Sequence, residues 1–238
     1  MAYDKIVDSA ALDSALGGIA DAIRAQTGGE EPLALEEMAA AISGIKNADD
    51  YLADVIDKRA TAIINDKIVG KLPSGFQDSN KNLVTVDLPN VTALGSLVFN
   101  RCENLTTVIL SSATTMDASC FAVTKSLRRI LLNVETITGY GYSFQGSAIE
   151  KAVFPALRGT IRGFDFNGCA NMVALVLGAD TVCPMENTNA LGNTPIAKST
   201  GYIYVRASIL SAYQAASNWS VYAAQFRAIE DYPGIMEV

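Results

Sequence analysis

The chain has 238 residues, half of them apolar, and a formal net charge of −7. That balance argues against nucleic acid, whose affinity comes mostly from Lys and Arg on phosphates. Histidine is absent, which removes the commonest general base and the commonest metal ligand together.

In chain order, residues 1–10 carry Asp4 and Asp8 and no long apolar run, so no leader peptide is expected. No stretch approaches the length of a membrane span, and membrane insertion is not expected. Residues 8–26 read as an amphipathic helix with Leu12, Leu16, Ile19 and Ile23 on one face, stopped by Gly28 and Gly29. A second helix is predicted over 35–45, with Leu35, Met38, Ile42 and Ile45 inward. A third runs from 48 or 49 to 59, with Tyr51, Leu52, Val55 and Ile56 on one face. A helical unit this small needs something to pack against.

From Leu83 the chain repeats. Leu83, Leu105, Leu127, Ile149, Met172 and Ile196 are spaced by 22, 22, 22, 23 and 24 residues. Three residues after each of the first five stand Val86, Val108, Ile130, Ala152 and Leu175. Two further on come Leu88, Leu110, Leu132, Phe154 and Leu177. Phe99, Phe121, Phe144 and Phe166 close the units, with Leu191 standing in for the fifth. Such a period predicts a solenoid whose units bury their apolar sides only by stacking. Ala62–Ile64 and Lys67–Val69 are expected as short strands of a degenerate first unit, with Phe76 closing it. The four cysteines form no CxxC pair and follow the repeat. They read as small buried residues or, alternatively, as a zinc or redox set. Asn100, Asn104, Asn167 and Asn171 at the turns read as bonding their own backbone. After Pro195 come a strand over 201–205, a helix over 208–217 with Tyr213 inward, Trp219, and a last helix near 221–229. This stretch suits a cap over the open end of the solenoid. The domains expected are a helical segment over 1–60, a solenoid over 61–195 and a cap over 196–238.

The Leu-x-x-Val-x-Leu-Pro of the first unit and the Phe-Asn-x-Cys-x-Asn turns resemble the BspA-type leucine-rich repeat. That family occurs in bacterial surface proteins and in tail proteins of bacteriophages and prophages. Residues 12–45 look like an N-terminal module of phage tail proteins, and 193–223 resemble the closing segment of the same proteins. The resemblance implies a β-rich leucine-rich-repeat solenoid with an N-terminal α-helical segment and a small α/β cap. It also implies a virion protein of the tail tip or fibre, made in the host bacterial cytoplasm. Its partners would be other tail proteins through residues 1–60 and a host-surface glycan or protein. A bacterial surface adhesin and a purely architectural virion subunit stand as alternatives.

Two candidate surfaces come from the residues themselves. The middle positions of the strand motif, Ile109, Leu131, Val153 and Val176, are aliphatic where a solvated face is polar. They read either as strand preference or as an interface, with a homotrimer as the favoured form. Arg128, Arg129 and Lys151 make a basic spot that is either solubilising or takes an acidic ligand. Tyr140 and Tyr142, between glycines, read either as packing between turns or as a glycan contact. Without histidine, a G-x-S-x-G or a phosphate loop, no enzymatic activity, cofactor or metal is expected.

Overall fold

The computed structural model describes residues 55–238. The helices expected over 8–26 and 35–45, and most of that over 48–59, lie outside the described residues. Of the last, Val55 is buried but Ile56 is exposed, so the two do not share an inward face.

Each turn of the coil contributes one short strand to a main column. Its members are β1 (Ala62–Ile64), β3 (Thr85–Asp87), β5 (Thr107–Ile109), β7 (Arg129–Leu131), β9 (Lys151–Phe154), β10 (Ala174–Leu177), β11 (Tyr202–Val205) and β12 (Phe226–Ala228). A second column holds β2 (Gly70–Leu72), β4 (Val91–Leu94), β6 (Thr115–Met116) and β8 (Thr136–Ile137). It is prolonged by a bridge between Ile161 and Met185. All pairings are parallel and in repeat register, for example Val86 beside Val108 and Ala152 beside Leu175. Strands of two to four residues cannot hold themselves, and each is fixed by the coils above and below. The main column is broken once: β1-β3-β5 and β7-β9-β10-β11-β12 are separate sheets.

The inward positions meet in one core. Leu83, Leu105, Leu127, Ile149, Met172 and Ile196 are each fully buried. Phe99, Phe121, Phe144 and Phe166 stack through it, with centroids 5.6, 5.6 and 5.0 Å apart. Phe154 meets Phe144 and Phe166 edge-on at 5.8 and 6.0 Å. Leu191 is buried where the aromatic is missing.

The turns carrying the Phe residues form a third side of the coil. Phe99 N–H donates to Cys120 O, Phe121 to Ser143 O, and Phe144 to Asp165 O, at 2.9, 2.7 and 2.8 Å. Left-handed backbone recurs at two fixed points of this turn. Gly75, Leu97, Ser119 and Tyr142 occupy one; Ser79, Arg101, Val123, Gly146, Gly168 and Asn193 occupy the other. The geometry is imposed by the coil and accepted by whatever residue stands there.

Several sequence expectations are corrected. Lys67–Val69 is not a strand: Lys67 N–H closes a turn on Asn65 Oδ1 at 2.7 Å, and β2 begins three residues later. Phe76 does not occupy the aromatic column. Gln77 does, fully buried, with its Nε2 on Val55 O at 2.8 Å and its Oε1 accepting from Asn80 Nδ2 at 2.8 Å. The helix expected near 221–229 is a 3-10 turn over Ser220–Gln225 followed by β12. Phe226 stands beside Ile203 in the main column, so the inward column continues past the end of the period. The short apolar spacing there fits one helical turn or one strand equally well, and stacking on β11 decides it. The helix expected over 208–217 is α1 (Leu210–Ala215), preceded by a 3-10 turn, with Tyr213 buried.

Candidate functional site

The aliphatic column of the sheet face is only partly open. Ile109 is 43% exposed and Leu131 is half-buried, but Val153 and Val176 are fully buried. Their cover is the chain itself. Ile229, Ile235 and Met236 pack on a cluster of Val153, Ala174, Val176 and Tyr204, and Tyr232 meets Tyr204 edge-on at 5.2 Å. Gly178 makes room for this segment, since a Cβ there would lie 2.7 Å from Met236 Cε. Val153 and Val176 are therefore covered by the chain itself, as strand preference on a partly covered face allows, while Ile109 and Leu131 stay partly open. No sequence period marks 229–238, and the only signal for the cover was the stripe itself. The remaining cleft, between Ile109, Leu131 and Val238, measures about 200 Å³, below the roughly 300–1,000 Å³ of small-molecule sites.

The basic spot is divided. Arg128 pairs with Glu150 at 3.7 Å across an exposed surface, an arrangement worth little. Lys151 Nζ donates to Glu237 O, which ties it to the covering segment. Desolvation and then the nearby Arg129 hold its pKa below the usual lysine value. Arg129 is exposed. A shallow groove runs from Lys125 and Arg128 past Gly146 and Gly168 to Asn171.

The two tyrosines have different surroundings. Tyr142 stacks face-on on Phe164 of the next coil, centroids 5.2 Å apart and planes 2° from parallel. Tyr140 is 92% exposed. Beneath them Asp165 is fully buried and accepts from Arg162 N at 2.7 Å and Ser143 N at 3.1 Å. Burial raises its pKa against those backbone bonds. Ser143 Oγ and Arg162 Nε are buried without a hydrogen-bond partner.

The cysteines are free and buried. Burial pushes the thiols of Cys102, Cys120 and Cys183 up to about 12 and that of Cys169 to about 11. Thiols so shifted are neither nucleophiles nor ready metal ligands. Each instead donates to a carbonyl of the preceding coil: Gln77, Gly95, Phe144 and Gly159 at 3.1, 3.0, 3.0 and 2.8 Å. Three of the four turn asparagines, Asn100, Asn104 and Asn167, likewise reach other coils and not their own backbone. Asn104 Nδ2 donates to Lys81 O, Asn167 Nδ2 to Asn189 O, and Asn100 Nδ2 to Asp78 Oδ1. Among the described residues there is no His/Cys/Asp/Glu cluster of metal-binding size and no helix long and apolar enough to cross a membrane.

Parallel strands in 22-residue register, a stacked aromatic column and turn residues bonded from coil to coil define a leucine-rich solenoid. Residues 67–173 match the family model described as BspA type leucine rich repeat region, in six copies. No curated protein matches the chain.

Proposed function

We propose that the chain is a non-enzymatic, adhesion-type repeat protein that recognises a cell surface through its solenoid. The six-copy BspA-type repeat region carries this reading. A rigid coil whose turns present one residue per repeat to solvent suits recognition of an extended partner. The finer setting we favour is a virion protein of the tail tip or fibre, attached through residues 1–60 and self-associated as a trimer. It rests on the sequence flanks over 12–45 and 193–223. A bacterial surface adhesin answers equally to the repeat region. In either setting 196–238 acts as the cap of the solenoid. Tyr213 Oη accepts from Cys183 N at 2.9 Å and Trp219 Nε1 donates to Cys183 O at 2.7 Å, which supports that role.

The test is binding of the purified chain to whole cells and cell-wall fractions of candidate hosts. Saturable binding is expected, and its absence from every fraction removes recognition and leaves an architectural role. Mass spectrometry of purified virions against cell-surface fractions separates the two settings. Light scattering tests the trimer, which a monomer at micromolar concentration overturns.

A further inference from the structure

Two features of one corner exceed what the coil requires. The first is an inserted aromatic. Phe121 and Phe144 are 23 residues apart where the preceding pair is 22 apart. Ser119 and Tyr142 share the same left-handed turn position, and Gly139 lies over Asp117 and Ala118. The extra residue therefore falls at Tyr140–Gly141. Tyr140 packs on nothing that would explain it, at 92% exposure. Gly139 and Gly141, at φ of 77° and 95°, carry the chain out to it and back. These two positive angles lie outside both recurring turn positions.

The second feature is Arg162, in the next coil. It is half-buried and makes no side-chain hydrogen bond or ion pair among the described residues, and its Nε is buried without a partner. Arg227, the other half-buried arginine among the described residues, is held by the carbonyls of Ala224 and Phe226 and lies over the Tyr202 ring. Leaving a partly buried guanidinium unpaired is costly. The two features are neighbours through Gly141, the residue after Tyr140: a Cβ added there would lie 2.9 Å from Arg162 Cβ. Asp165 below accepts from the backbone N–H groups of Arg162 and Ser143, and burial raises its pKa while those bonds and the charge of Arg162 lower it.

We propose that Tyr140 and Arg162 form a binding site for an acidic saccharide, with the C–H face of a sugar ring on the tyrosine and its acidic substituent on the guanidinium. The inference rests on the recognition reading above and names its ligand class. An open ring face and a planar fork of donors are the two groups such a ligand needs. A proline-rich peptide wants a groove between aromatics, and the face of Tyr142 toward Phe164 is already taken.

The test is calorimetric titration of the full chain with oligogalacturonate, a sugar-phosphate polymer, neutral malto-oligosaccharide and a proline-rich peptide. At least one acidic ligand is expected to bind roughly tenfold more tightly than the neutral one. Tyr140→Ala, which removes a ring from solvent and keeps the fold by circular dichroism, should weaken that binding roughly tenfold, and Tyr140→Phe should restore it. Arg162→Gln should abolish the acidic preference. The site is overturned by no acidic ligand binding, by unchanged affinity in Tyr140→Ala, or by Tyr140-dependent binding of the peptide. Cell binding that survives in Tyr140→Ala removes this site and leaves the recognition reading standing. Loss of cell binding by the unmodified chain removes the reading itself.

Discussion

At the scale of single residues, the turns settle two demands at once: a left-handed backbone and hydrogen bonds between coils. Arg101 and Gly168 occupy the same turn position, at φ of 56° and 74°. An L-residue in that region costs about 1–2 kcal/mol, and glycine escapes the cost. Arg101 is exposed, so Arg101→Gly should stabilise the protein by about 0.5–1 kcal/mol. A Cβ at Gly168 meets only ordinary contact at 3.7 Å. Gly168→Ala should therefore destabilise by about 1 kcal/mol through backbone alone. Paired urea melts test the opposite signs, and equal signs would refute the turn argument. Asn104→Ala removes the bond to Lys81 O at an exposed site and should cost about 0.5–1.5 kcal/mol, the net worth of one hydrogen bond.

At the scale of elements, Tyr213 and Trp219 tie residues 210–219 to the backbone of Cys183. Tyr213→Phe keeps the ring but leaves Cys183 N–H buried and unpaired. The expected loss is about 1–3 kcal/mol, read from a shifted midpoint with unchanged slope in denaturant. A shift within error would mean that the closing segment contributes by ring packing alone, through the 5.5 Å contacts of Tyr213 with Trp219 and Phe226. The segment 229–238 covers the sheet face by the same logic. Ile235→Ser with Met236→Ser should cost about 2 kcal/mol, because both side chains are half-buried and each fully buried one is worth about 1.5–3 kcal/mol. It should also raise binding of a hydrophobic dye as Val153 and Val176 come into solvent. The strands of the main column were legible in the sequence because Leu-x-x-Val-x-Leu recurs with fixed inward positions. Gln77 in the aromatic column was not legible, because a buried amide is tolerated there only through its bonds to Val55 O and Asn80. The cover over Val153 and Val176 was half legible: the stripe reported a partner surface, but which segment fills it depends on a chain reversal that no periodicity encodes. The same holds for the candidate site. Tyr140 stands out in the sequence by its glycines, whereas Arg162 becomes notable only once its lack of a partner is seen.

At the scale of the whole molecule, stability is spread along the coil, so a perturbation shared by several coils acts as a sum. The buried thiols provide one. Cys102, Cys120 and Cys183 have folded values pushed up to about 12 from an ordinary value of 9.0, through desolvation. A group whose folded pKa lies above its unfolded pKa binds its proton more tightly when folded. Its contribution is complete below pH 9.0 and is lost as the pH rises toward 12. By pH 10 each such thiol should have surrendered about 1.4 kcal/mol, since one pKa unit corresponds to about 1.4 kcal/mol. Cys169, pushed up to about 11, loses nearly as much by that pH, so the four together approach about 5.5 kcal/mol, a large share of the roughly 5–15 kcal/mol that holds a domain. Thermal melts should therefore be level from pH 7 to 8.5 and fall steeply above pH 9. Cys120→Ala should flatten that fall by about one quarter, at some cost in stability at neutral pH from the lost Sγ contacts to Gly95 O and Asp117 O. A fall of unchanged steepness in Cys120→Ala would assign the alkaline transition elsewhere. In the folded state at pH 8 all four thiols should resist an alkylating reagent and react together on unfolding, because no one coil opens without its neighbours.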